Sequence, residues 1–207
     1  MRKTLREILQ TALLALLLFS GLQASVQNFR VEGSSMQRTL DDGQYLLVNK
    51  LVYYRFDMDR LAKYVPFVDA EPSEVAYAFR PPQRGDVIVF HYPKDPSRDF
   101  VKRIVAIPLD TVEVQSNRVY VNDKLVEDPY LPELAGSTME RRVADLSPCP
   151  DAKLPPGRCV LGSDQYFVLG DNRAHSNDSR NWGPVPLANI VGRAWFSYWP
   201  FSAFNIF

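Results

Sequence analysis

The pattern of apolar and polar positions divides the chain at about residue 26. Arg2, Lys3 and Arg6 precede an apolar run from about Ile8 to Leu22, which extends to Val26 across Gln23 and Ser25. A helix over residues 8–26 spans about 28 Å, close to the hydrocarbon thickness of a bilayer. Three readings fit such a segment. One is a cleaved secretory signal, another a core helix carrying Leu14, Leu16, Leu17 and Leu18, and the third a permanent anchor. Ala24 suits the position before a cut, but Leu22 is a poor residue two places earlier. Length and flanks favour the anchor, with its basic end in the cytoplasm. The expected organisation is a cytoplasmic N-terminus at 1–7, a transmembrane helix at 8–26 and an extracytoplasmic domain over 27–207.

Beyond the anchor the period shortens to two, or to continuous runs of β-formers. Strands are predicted in "QYLLVNKLVY" (44–53), "GDVIVFHYP" (85–93), "FVKRIVAI" (100–107), "DQYFVLGD" (164–171) and "IVGRAWFSYW" (190–199). "TVEVQSNRVYVNDKLV" (111–126) reads as a hairpin turning at Ser116 and Asn117. Many short strands separated by turn formers predict a mainly β domain. Residues 54–83 break the rhythm and hold a short helix candidate, "DMDRLAKYV". Residues around 113–163 read as a hairpin and loop elaboration on the surface. The strand after residue 190 is expected to run to about Tyr198, with the aromatic tail beyond it meeting lipid.

Composition narrows the function. Lys plus Arg and Asp plus Glu both number 24, so the net charge is zero. A broad nucleic-acid surface needs a basic excess, and none is present. Two histidines, His91 and His175, and two cysteines, Cys149 and Cys159, make no metal-site pattern. The segment "CPDAKLPPGRC" favours a Cys149–Cys159 disulfide in an oxidising compartment and two free thiols in the cytosol.

The candidate chemistry starts from "EGSSMQRTL", where Ser34 and Ser35 stand between a glycine and a methionine. A serine hydroxyl needs a base to become a nucleophile. His175 lies in a loop rich in Asp, Asn and Ser, but no GxSxG elbow supports a histidine-based triad. Lys102 is the other base. In an alternating strand Phe100, Lys102 and Ile104 share a face, while Val101, Arg103 and Val105 share the opposite one. A lysine so placed is either desolvated, which lowers its pKa, or snorkelling at a rim. The loop "LGDNRAHSNDSRNWGPV" (169–185) is either a turn tied by Asp and Asn side chains or a scaffold for a catalytic group. Asp178 with Arg180 and Asp171 with Arg173 are its candidate ion pairs.

In this order, "GSSMQRTL", "RGDVIVFHYP", "DFVKRIVAIPLDTV" and "GDNRAHSNDSRNWG", behind a basic start and one anchor, resemble bacterial type I signal peptidases. These are membrane-bound Ser/Lys endopeptidases that cut signal peptides from exported proteins. The resemblance implies a β-rich catalytic domain, a nucleophile at Ser35 and a general base at Lys102. It implies that Ser176 orients the lysine amine, that Asp178 and Arg180 form a supporting pair, and that Asp171 belongs to the same motif. It implies an oxyanion hole from backbone donors at Gly33 and Ser35, with Ser34 a spectator. Met36, Leu40 and Phe100 would line the pocket for the substrate's −1 residue, and Phe29, Val31 and Val101 that for −3. It also implies signal peptides and the lipid bilayer as partners, and neither metal nor cofactor.

Two positions depart from the family pattern. Arg38 stands where proline is usual, which loosens a turn after the nucleophile. Leu109 stands where glycine is usual, which implies a backbone there without positive φ. One rival is a self-cleaving Ser/Lys repressor-type protease, which needs a DNA-binding module in place of the anchor. The other is a catalytically silent, membrane-tethered export or scaffold protein, which would have lost Ser35 or Lys102.

Overall fold

A computed structural model describes residues 2–57, 75–115, 118–126 and 158–207. The helix candidate at 57–65 beyond its first residue, the turn at Ser116 and Asn117, Cys149 and most of the 113–163 elaboration lie outside the described residues. The N-terminal helix runs Arg2–Ser25. Its Lys3–Ser25 stretch is long and apolar enough to cross a membrane, and its apolar side chains are exposed all round. Val26 does not continue it but opens the first strand, β1 (Val26–Arg30).

The large sheet orders β1, β2 (Tyr45–Asn49), β13 (Ile190–Trp199), β5 (Val87–Tyr92), β6 (Asp95–Ala106), β11 (Gln165–Leu169) and β12 (Val185–Pro186). The pairs linking β1, β2, β13, β5, β6, β11 and β12 along this order are antiparallel. A second sheet orders β10 (Arg158–Val160), β7 (Thr111–Gln115), β8 (Arg118–Val121) and β9 (Lys124–Leu125). Within 54–83, β3 (Arg55–Asp57) and β4 (Val75–Tyr77) form a two-stranded ribbon that the sequence pattern did not reveal.

Alternation along β5 and β6 sends neighbouring side chains to different cores. Ile88, Phe90 and Ile104 pack with Trp182 and Val185, whereas Val87 and Val89 pack with Val31, Met36, Leu40 and Leu46. Val105, Phe167 and Leu169 join the second sheet in a third cluster with Val112, Val119 and Cys159. Cys159 is fully buried and disulfide-bonded.

The chain end is neither frayed nor confined to a single strand. After Trp199 it turns back, and β14 (Asn205–Ile206) pairs with Ser197 and Phe196 of β13. Phe207 N–H donates to Trp195 O at 3.0 Å, and Arg193 Nη2 donates to Phe207 O at 2.7 Å.

Both departures from the family pattern change meaning in three dimensions. Leu109 adopts φ 68°, against the expectation that it would not. It sits in the tight turn closed by Asp110 N–H to Ile107 O, and its side chain is exposed, so only the local backbone bears the strain. Arg38 adopts φ 84°. A proline ring fixes φ near −65°, so this turn is one that proline could not make rather than a loosened version of it.

Candidate active site

The loop after β1 is pinned from beneath and from both ends. Val31 N–H donates to Gln44 O, and Gly43 N–H to Val31 O, continuing the β1–β2 ladder. Met36 and Leu40 are buried in the core, and Thr39 and Leu40 N–H both donate to Met36 O. Gly33 holds φ 85°, a value costly for other residues, and its N–H donates to Asp42 Oδ1 at 2.7 Å. That bond commits to Asp42 the N–H of Gly33, one of the two expected oxyanion donors. The loop lifts Ser35, half-buried, toward β6.

β6 delivers Lys102 by register. Phe100 lies opposite Phe90 and Lys102 opposite Ile88, so the lysine stem runs along an apolar face. Lys102 is 4% exposed. Its Nζ lies 2.6 Å from Ser35 Oγ and donates to Val101 O at 2.8 Å. The Phe100 ring centroid is 5.5 Å from the amine. Burial pulls the Lys102 pKa down from 10.5 to about 8, while the carboxylates of Asp178 and Asp171 act in the opposite direction. The amine is therefore half neutral at about pH 8, well below the midpoint of an ordinary lysine, and desolvation is the cause.

The loop after β11 braces this corner. Asp178 caps the one-turn helix Ser179–Trp182 and accepts Gly170 N–H at 3.1 Å. Its carboxylate also takes Arg180 Nε and Nη2, both at 2.8 Å, in a pair buried on both sides. Arg180 Nη2 reaches on to Arg173 O at 2.7 Å. Asp171 is bound not by the expected Arg173 but by Arg103, through Nε at 2.8 Å and Nη2 at 2.7 Å. Alternation along β6 thus sends Lys102 to Ser35 and Arg103 to the loop after β11.

Ser176, expected to orient the amine, has a buried Oγ that makes no hydrogen bond among the described residues, while the amine's bonds go to Ser35 and Val101. The serine nevertheless packs close by. A Cβ built on Gly170 would lie 2.5 Å from both Ser176 Cβ and Ser35 O.

A groove of about 500 Å³ opens beside Ser35 and Lys102. Phe29, Val31, Phe100 and Val101 line it, as do His175 and Asn177. Met36 and Leu40 do not line it; they lie beneath, with exposures of 1% and 0%. Among the described residues no group of three or more His, Cys, Asp or Glu is placed to hold a metal ion.

Comparison with known proteins agrees with this architecture. Signal peptidase I of Pseudomonas fluorescens is 35% identical over 201 residues, covering 84% of this chain and 66% of the relative. Signal peptidase I of Bacillus caldolyticus is 35% identical over 181 residues, covering 86% of this chain and 81% of the relative. Signal peptidase IB of Staphylococcus aureus is 31% identical over 213 residues, covering 99% and 95%. The chain thus spans just under two thirds of the Pseudomonas protein and nearly all of the Staphylococcus one. A family model described as signal peptidase, peptidase S26, matches residues 1–199. With its serine loop, buried lysine and bracing Asp–Arg loop on one β scaffold, the chain belongs to the signal peptidase family, peptidase S26.

Proposed function

We propose that this protein is a membrane-anchored serine endopeptidase that removes signal peptides from exported precursors, with Ser35 as nucleophile and Lys102 as general base. The observation that carries the reading is the 2.6 Å contact between Ser35 Oγ and an amine that is 4% exposed. An extended precursor segment binds in the groove beside the edge of β1 by backbone pairing, with small side chains facing Phe29, Val31, Phe100 and Val101.

The neutral Lys102 amine takes the Ser35 hydroxyl proton as Oγ bonds to the scissile carbonyl carbon. The carbonyl π pair moves to oxygen, and that oxyanion is held by Ser35 N–H. Collapse breaks the C–N bond, and the Lys102 ammonium returns its proton to the leaving amine. The same amine then deprotonates water, which attacks the acyl ester. Oγ leaves with a proton from Lys102, freeing the signal peptide's new carboxylate. Asp178 with Arg180, and Asp171 with Arg103, hold the loop against which the dyad rests. Ser176 fills the space beside it.

The anchor sets where this occurs. Residues 1–7 face the cytoplasm, the rest of the apolar helix up to Ser25 crosses the cell membrane and residues 27–207 form the catalytic domain outside. Trp195, Trp199, Phe201 and Phe204 are exposed along the chain end and contact the outer lipid surface. The test is cleavage of a precursor bearing an Ala-x-Ala site by the full chain in detergent micelles. Wild type cuts, and Ser35→Ala and Lys102→Ala each lose at least about 10³-fold in kcat. Cutting by both variants at the wild-type rate would overturn the reading.

A further inference from the structure

The backbone on both sides of Ser35 is gripped from outside its own loop by Asn172. Asn172 N–H donates to Ser35 O at 3.0 Å, and Asn172 Nδ2 donates to Ser34 O at 3.1 Å. These two carbonyls belong to the peptide groups on either side of the nucleophile. A peptide group is planar and trans, so its C=O and N–H point in opposite directions. Holding Ser34 O therefore fixes the direction of Ser35 N–H, the donor left for an oxyanion once Gly33 N–H is committed to Asp42.

The Ser34 carbonyl also accepts Gln37 N–H at 3.1 Å within its own turn. The turn sets the local curvature, and the Asn172 amide ties that same peptide plane to the loop after β11. Close approach makes the tie feasible. Gly170, two residues earlier, leaves no room for a Cβ against Ser35 O, so the two backbones meet at a distance a short carboxamide can span.

We propose that the Asn172 side chain is a positioning residue for the oxyanion donor. It holds the Ser34–Ser35 peptide so that Ser35 N–H faces the charge that develops on the scissile carbonyl. The inference rests on the Ser35 chemistry proposed above. Its contribution belongs to the transition state, because the ground-state carbonyl demands far less of that N–H.

The experiment uses the full chain in detergent micelles with Asn172→Ala and the near-isosteric Asn172→Asp, which loses the donor. Three probes share one Ala-x-Ala sequence. The first is the cleavable peptide. The second is a peptide aldehyde, whose hemiacetal with Ser35 puts an oxygen in the hole. The third is a reduced-amide peptide, which lacks that oxygen. Both variants are expected to lose about 10- to 100-fold in kcat and a matching factor in aldehyde affinity. KM and reduced-amide affinity stay within about twofold of wild type. An unchanged kcat overturns the proposal, as does an equal loss for aldehyde and reduced amide, since Asn172 would then be building the groove. A Ser35→Ala variant that cuts normally overturns the nucleophile assignment beneath it instead.

Discussion

Two clusters of buried polar groups stand on the β5–β6 pair, and they differ in how well their members are satisfied. Around Asp86, at the start of β5, the pairing is dense. The carboxylate accepts Arg80 through two bonds of 2.7 and 2.8 Å, Tyr53 Oη at 2.7 Å and Gln83 N–H at 2.9 Å. Burial alone would raise the Asp86 pKa, but these donors hold it below the usual carboxylate range. Around Lys102 the pairing is thin. The amine is buried with one hydroxyl and one carbonyl, its pKa falls, and Ser176 Oγ nearby has no hydrogen-bond partner among the described residues. A satisfied cluster stabilises the fold, whereas an under-satisfied one is costly to it and leaves its groups reactive.

Substitutions can break this contrast. The largest effect is expected from Asp178→Ala, which leaves Arg180 buried without its carboxylate. It should cost about 3–5 kcal/mol in denaturant unfolding and also lower cleavage per folded molecule, because Gly170 loses its tether too. Asp86→Ala should cost about 3 kcal/mol, at the low end because Arg80 is partly exposed, yet leave kcat of the folded fraction unchanged. Equal losses of kcat from the two would erase the distinction between the clusters.

Lys102→Met sharpens it from the other side. The native amine is neutral above about pH 8, whereas in the unfolded chain it stays protonated up to about 10.5. The unfolded state therefore binds more protons between these values, and stability rises with pH across that window. Below pH 8 the burial penalty is fully present. Removing the amine should stabilise the fold by about 3 kcal/mol at pH 7, a gain that fades to nothing by pH 10.5, while cleavage is abolished. The smallest effect is kinetic. The wild-type kcat/KM should rise about tenfold per pH unit below the amine's pKa and level off above about pH 8.

Much of this was legible in the sequence, for physical reasons. The strands 85–93 and 100–107 were readable as continuous runs of β-formers because cores cover both their faces, and 190–199 as a run of β-formers with partial alternation. β3 and β4 were not, because three-residue strands carry too few alternations. Lys102 could be read as desolvated or as snorkelling, and only its depth in the fold, 4% exposure, decides between them. Asp178 and Arg180 sit two residues apart, so their pairing could be guessed. Asp171 and Arg103 are 68 residues apart and meet only through the β6–β11 register. The positive φ of Leu109 and Arg38 left no mark because neither residue prefers it.

The account stands on an uncharged amine at the nucleophile. The most direct measurement is a nuclear magnetic resonance titration of lysine side chains labelled at the ε-carbon in the full chain, with the Lys102 signal identified by its loss in Lys102→Met. A midpoint near pH 8 in the folded protein, moving to about 10.5 on unfolding, is the predicted result. A folded-state midpoint at about 10.5 would contradict it.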